Sequence, residues 1–127
     1  MKKYVFVILR LIIAIVLLQT LRYKFTGHPD SVHIFTLIGL EPYGRIGIGI
    51  IELLAAILLC IPKTIWLGAL LTAGVLAGAI FFHLTSLGIE VKADGGSLFY
   101  MALATFLLSL IVLWKERKAV PIIGKTL

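Results

Sequence analysis

Three ionisable side chains, Arg10, Glu52 and His83, lie inside long apolar runs. A charge near the centre of a bilayer costs at least about 2.5 kcal/mol on insertion scales, so each needs a partner, a wet cavity or a route to the headgroups. Glu52 is the sharpest case. It lies eight residues beyond Gly44, where its run begins, which is roughly 12 Å along a helix. A carboxylate stem is too short to snorkel that far, so Glu52 must be protonated, paired or hydrated. So placed, it can exchange a proton or hydrogen-bond a polar ligand, or it can simply tie two helices together. His83 comes one turn before the end of its run and shares a helical face with Thr72, Leu76 and Ala79. An imidazole there can carry a proton or bond a ligand, although a lone histidine near an interface is more often a satisfied packing residue. Its depth allows a direct or water-mediated pair with Glu52 if the two faces meet. Arg10 follows Tyr4 by six residues, roughly 9 Å. It has two roles open to it, snorkelling to the headgroups or joining a buried polar network. Together Glu52, His83, Lys24, Arg45 and Arg10 form a candidate polar pocket in the outer half of a bundle.

Other chemistries lack their residues. The single cysteine, Cys60, excludes an intrachain disulfide, a CxxC pair, a thiolate zinc site and an iron–sulfur motif. His28 and His33 fall in a loop, leaving His83 without a facing axial partner for haem. There is no Glu-x-x-His pair for a metal and no Walker sequence, and Gly44-x-x-Gly47-x-Gly49 has no strand before it. The sequence therefore contains no metal site. A redox role would have to borrow its cofactor, such as a lipid-soluble quinone, or a metal or flavin on a partner.

The elements that position these groups follow from composition. Of 127 residues, 61% are hydrophobic and 14% charged, well above the roughly half-apolar make-up of soluble domains. One span takes about 20 residues and four take about 80, so the chain accommodates four with short connections. The spacing predicts spans over 4–21, 44–61, 64–87 and 97–114, with a tail over 115–127, in a single membrane domain. Arg10 interrupts the first run and Gln19-Thr20-Leu21-Arg22 offers no small-x-small cleavage site, so that run reads as a retained span. Pro62 ends the second span. The connection from Arg22 to Tyr43 is too long for a turn. Its Pro29-Asp30-Ser31 start, with Val32, Phe35 and Ile38 at helical spacing, predicts a short amphipathic helix ended at Gly39. A polar outer loop is expected over Ile89–Gly96. In lipid, helices associate through small residues. The Gly74 and Gly78 pair and the Ala69, Ala73 and Ala77 ridge are the expected packing faces of the third span. The fold class is thus all-α, an integral membrane bundle of four antiparallel helices.

The formal charge of +6 would suggest nucleic acid in a soluble protein, but here it describes orientation. With alternating spans, one side carries Lys2, Lys3, Lys63, Lys115, Arg117, Lys118 and Lys125, and the other Arg22, Lys24, Arg45 and Lys92. Lys and Arg concentrate on the cytoplasmic side, so both termini are expected there, with the lipid bilayer as the partner and no role for nucleic acid.

Arg10, Lys24, the glycine-rich entry into Ile51-Glu52-Leu53, and Ala79-Ile80-Phe81-Phe82-His83 together resemble the DoxX family of small bacterial membrane proteins. The resemblance runs from about Arg10 to Leu113 and makes Arg10, Lys24, Glu52 and His83 the family's polar positions here. It implies a four-helix protein of the bacterial cytoplasmic (inner) membrane. The family is named after a subunit associated with a terminal quinol oxidase and with thiosulfate:quinone oxidoreduction. Three functional classes stay open: a membrane component of a quinone-linked or other redox system, acting with a redox partner protein or as a homo-oligomer; a non-catalytic assembly subunit; and a carrier of small solutes or protons. Disrupting Gly74 and Gly78 should abolish the assembly function while leaving Glu52→Gln silent. A carrier should show flux in liposomes.

Overall fold

The computed structural model describes residues 2–27, 29–41, 43–88 and 96–120. The helices are α1 (Lys2–Phe25), α2 (Pro29–Leu37), α3 (Tyr43–Cys60), α4 (Ile65–Phe82) and α5 (Ser97–Lys115). All but α2 belong to segments long and apolar enough to cross a membrane, spanning Tyr4–Arg22, Tyr43–Cys60, Pro62–Thr85 and Ser97–Lys115. Their bounds lie within a few residues of those expected from hydropathy. The short helix of the first connection is present, begun by Pro29, and Gly39 takes the positive φ of +76° that turns the chain out of it. His28, most of the expected outer loop (residues 89–95) and the tail from residue 121 lie outside the described residues.

The long helices form an antiparallel bundle in which α1 packs on α3, α3 on α4 and α4 on α5, while α5 closes back on α1 more loosely. Two arginines pin the α1–α3 pair at opposite ends. Arg10 of α1 donates from Nη1 to the carbonyl of Leu59 at 2.9 Å, near the C-terminus of α3. Arg45 of α3 donates from Nη1 to the carbonyl of Lys24, near the C-terminus of α1. The last carbonyls of a helix have no partner inside it and carry the negative end of its dipole, so a guanidinium is well suited to each. Arg10 thus serves a neighbouring helix end, and its half-buried position matches neither free snorkelling nor a place beside Glu52.

The core is concentrated toward the end of the bundle that carries the Pro62–Thr64 turn. Ile13, Ala14 and Leu17 of α1, Ala55, Ala56 and Leu59 of α3, Ile65 and Ala69 of α4 and Val112 of α5 form one buried cluster. Here the small residues of α4 bring backbones together, but not all at the positions expected from the sequence. A Cβ at Gly68 would lie 2.8 Å from the Leu59 nitrogen and 2.9 Å from the Ala55 oxygen, so only glycine fits. Ala69 and Ala73 are buried beside it. Ala77, in contrast, is exposed. A Cβ at Gly74 or Gly78 would meet nothing within 4 Å, so the Gly74–Gly78 pair makes no close helix contact within this chain. The tight turn at Pro62 holds α3 and α4 together at one end, and at Gly74 and Gly78 an added Cβ would face open space among the described residues.

Candidate functional site

The space that opens beside Gly74 and Gly78 is a cavity of about 670 Å³ in the other half of the bundle. Its wall includes Gly74, Leu76, Gly78, Ala79 and Phe82 of α4, Val16 and Leu17 of α1, and Leu98, Met101 and Ala102 of α5. Ile34, Phe35 and Ile38, from α2 and the residue after it, also line the cavity. The amphipathic face of α2 therefore closes one end, with Phe35 buried. The lining is mostly apolar, with polar groups from four elements.

Glu52 is one of them. It is 4% exposed and meets the last two turns of α1. Lys24 Nζ lies 2.8 Å from Glu52 Oε1, and Thr20 Oγ1 is 3.1 Å from Glu52 Oε2. The Thr20 hydroxyl is also 2.9 Å from the carbonyl of Leu17, so its one proton serves one acceptor or the other. The Lys24 ammonium approaches Oε1 off the direction a hydrogen bond needs. Charge attraction holds this contact, and among the described residues Oε1, fully buried, has no aligned donor. Buried polar atoms are almost always satisfied, so such an oxygen facing a cavity needs a reason. The pairing with Lys24 answers the depth problem posed by the sequence, since the carboxylate lies beside a cation instead of alone in hydrocarbon.

His83 lines the same cavity from the end of α4 and is 5% exposed. It starts a wide π-helical turn, His83–Leu87, a rare geometry that recurs at functional sites. Its Nδ1 lies 3.0 Å from the carbonyl of Gly88. A carbonyl only accepts, so Nδ1 carries the proton, and a neutral ring then keeps Nε2 as an acceptor. The edge of Phe99 steadies the ring, with centroids 5.6 Å apart.

Three of the five residues expected in the polar pocket therefore share one cavity: Glu52, Lys24 and His83. Arg45 does not line it. Its Nε sits 3.0 Å from both carboxylate oxygens of Glu41, and its guanidinium reaches the α1 carbonyl of Lys24. Arg10 lies at the far end of the α1–α3 pair. Sequence reasoning missed Thr20, Gln19, Ser97 and Thr105, all of which line the cavity. Thr20 was detectable, because it lies one turn before Lys24 on the same helical face. The others are ordinary polar residues in an apolar helix, and only the packing gives them a role.

Among the described residues no group of His, Cys, Asp and Glu is arranged to hold a metal ion. The cavity instead offers a carboxylate paired with an ammonium, an imidazole and an apolar wall. That combination can bind an apolar molecule bearing hydroxyl groups and can accept its protons.

Neither any curated protein nor any solved structure matches the chain at a significant level. The family model described as DoxX matches residues 5–85, which include Arg10, Lys24, Glu52 and His83 and stop before α5. With most of its length matched and four helices able to span a membrane, the chain belongs to the DoxX family of membrane proteins.

Proposed function

We propose that the chain is a membrane component of a quinone-linked redox system, set in the bacterial cytoplasmic membrane with both termini on the cytoplasmic side. The cavity holds the quinone headgroup. The observation that carries this reading is Glu52 Oε1, buried on the wall of a largely apolar cavity with no aligned donor of its own. An O–H of a hydroquinone would fill that acceptor site, and His83 Nε2 offers a second one. Lys24 lies beside the carboxylate, and the apolar lining suits a ring with a hydrocarbon tail. Electrons would leave through a redox partner protein, since the sequence offers no haem, zinc or iron–sulfur motif.

The test is purification in mild detergent, extraction of bound quinone, and titration of the emptied protein with a short-chain hydroquinone. Glu52→Gln and His83→Leu should each weaken binding by tenfold or more while helicity is kept. Binding unchanged in both variants, or no binding at all, would refute the proposal.

A second reading, that the chain is a non-catalytic assembly subunit, draws on Gly74 and Gly78, where an added Cβ would meet no described residue within 4 Å. A partner's helix seated there would leave Glu52→Gln silent and make Gly74→Leu destructive of a complex isolated from membranes.

A further inference from the structure

The seam between α1 and α5 holds a second hollow at the opposite end of the bundle. It is a groove of about 470 Å³ lined by Phe6, Leu110, Ile111, Trp114 and Lys115. Leu110, Ile111 and Trp114 are exposed, Trp114 at 67%, so no described residue covers the wall. Cations gather at the groove's rim. Lys115 Nζ lies 5.0 Å from the centre of the Phe6 ring, reaching from α5 to α1. The Arg117 guanidinium lies 4.3 Å over the Trp114 ring and donates to the Trp114 carbonyl at 2.8 Å. Lys118 follows in the same short turn, Arg117–Ala119. Glu116 is the one acidic residue of this stretch, and it lies 3.5 Å from Lys115. Three cations therefore face one carboxylate, and Lys2 and Lys3 open α1 one turn before Phe6.

We propose that this groove binds an anionic phospholipid, with an acyl chain along Phe6, Leu110, Ile111 and Trp114 and the phosphate beside Lys115, Arg117 and Lys118. Shape and charge both argue for a lipid over a protein helix. Helices approach one another in lipid through small residues, whereas every apolar residue of this wall is large. A tryptophan at a span end sits at headgroup level, and basic clusters at that depth attract anionic headgroups. The site is separate from the Glu52 cavity and does not depend on the reading given to it.

Trp114 is itself the probe. The chain has two tryptophans, and Trp66 sits at the start of α4, away from the groove. In a Trp66→Phe protein placed in vesicles, quenching of Trp114 by brominated phosphatidylglycerol is compared with quenching by brominated phosphatidylcholine at equal mole fraction. The ratio should favour the anionic lipid severalfold and fall toward one in Lys115→Gln and in Arg117→Gln. Trp66, read in a Trp114→Phe protein, should be quenched nearly equally by both lipids. Using a ratio cancels any direct effect of Arg117 on Trp114 emission. Equal quenching of Trp114 by the two lipids, or a preference untouched by both substitutions, would overturn the proposal.

Discussion

Lys24 and Glu52 come from different helices and meet 2.8 Å apart where water is scarce, so each is tolerated only because the other is there. Removing one partner of a buried pair leaves an uncompensated charge, at a cost of about 3–5 kcal/mol. Lys24→Met should therefore destabilise the bundle by that order, and Lys24→Met combined with Glu52→Leu should recover most of the loss. Unfolding in mixed micelles measures both, and additive effects in the double variant would show that the two groups do not depend on each other. The need for a partner at Glu52 was legible from its depth alone. Lys24 stood among the candidate neighbours, but its choice over Arg45 and Arg10 was not legible, because it lies 28 positions earlier and the register of α1 against α3 brings the two together. The same register sends Arg45 away from the cavity to the end of α1. A guanidinium stem is long enough to reach several acceptors, and sequence spacing does not choose among them.

Among the helices, the decisive contact is the close approach of α3 and α4 at Gly68. The GxxxG spacing drew attention to Gly74 and Gly78, yet spacing identifies a face that permits close packing without saying what occupies it. The short Pro62–Thr64 turn holds the two helices together near Gly68, where an added methyl meets backbone atoms at 2.8 and 2.9 Å. Gly68→Ala should cost about 1–3 kcal/mol, since backbone cannot step aside as a side chain can. Gly74→Ala and Gly78→Ala have no clash to meet and relieve a glycine in a helix interior, so each should be neutral or stabilising by up to about 1 kcal/mol. Thermal unfolding of the three variants side by side gives the comparison, and a loss at Gly78 as large as that at Gly68 would show an unseen contact there. The four long helices and the amphipathic α2 were legible from hydropathy and from the Pro29 and Gly39 signals. The uneven packing along them was not, since it arises from the geometry of one turn.

At the scale of the whole molecule, one half of the bundle is a close-packed core and the other holds a partly open cavity of about 670 Å³ with α2 across its end. A hollow of that size leaves its lining short of packing contacts within the chain. The polar groups in its wall come from α1, α3, the π-helical turn after α4, and α5, an arrangement that fits a space held open for an occupant. Gly78→Phe makes the distinction, because Gly78 lines the cavity and a side chain added there has open space before it. If the hollow houses a ligand, Gly78→Phe should keep its helicity, unfold at the same temperature or higher when emptied of ligand, and retain at least tenfold less quinone through purification. A mere packing defect would give the stability gain with no change in what the protein carries.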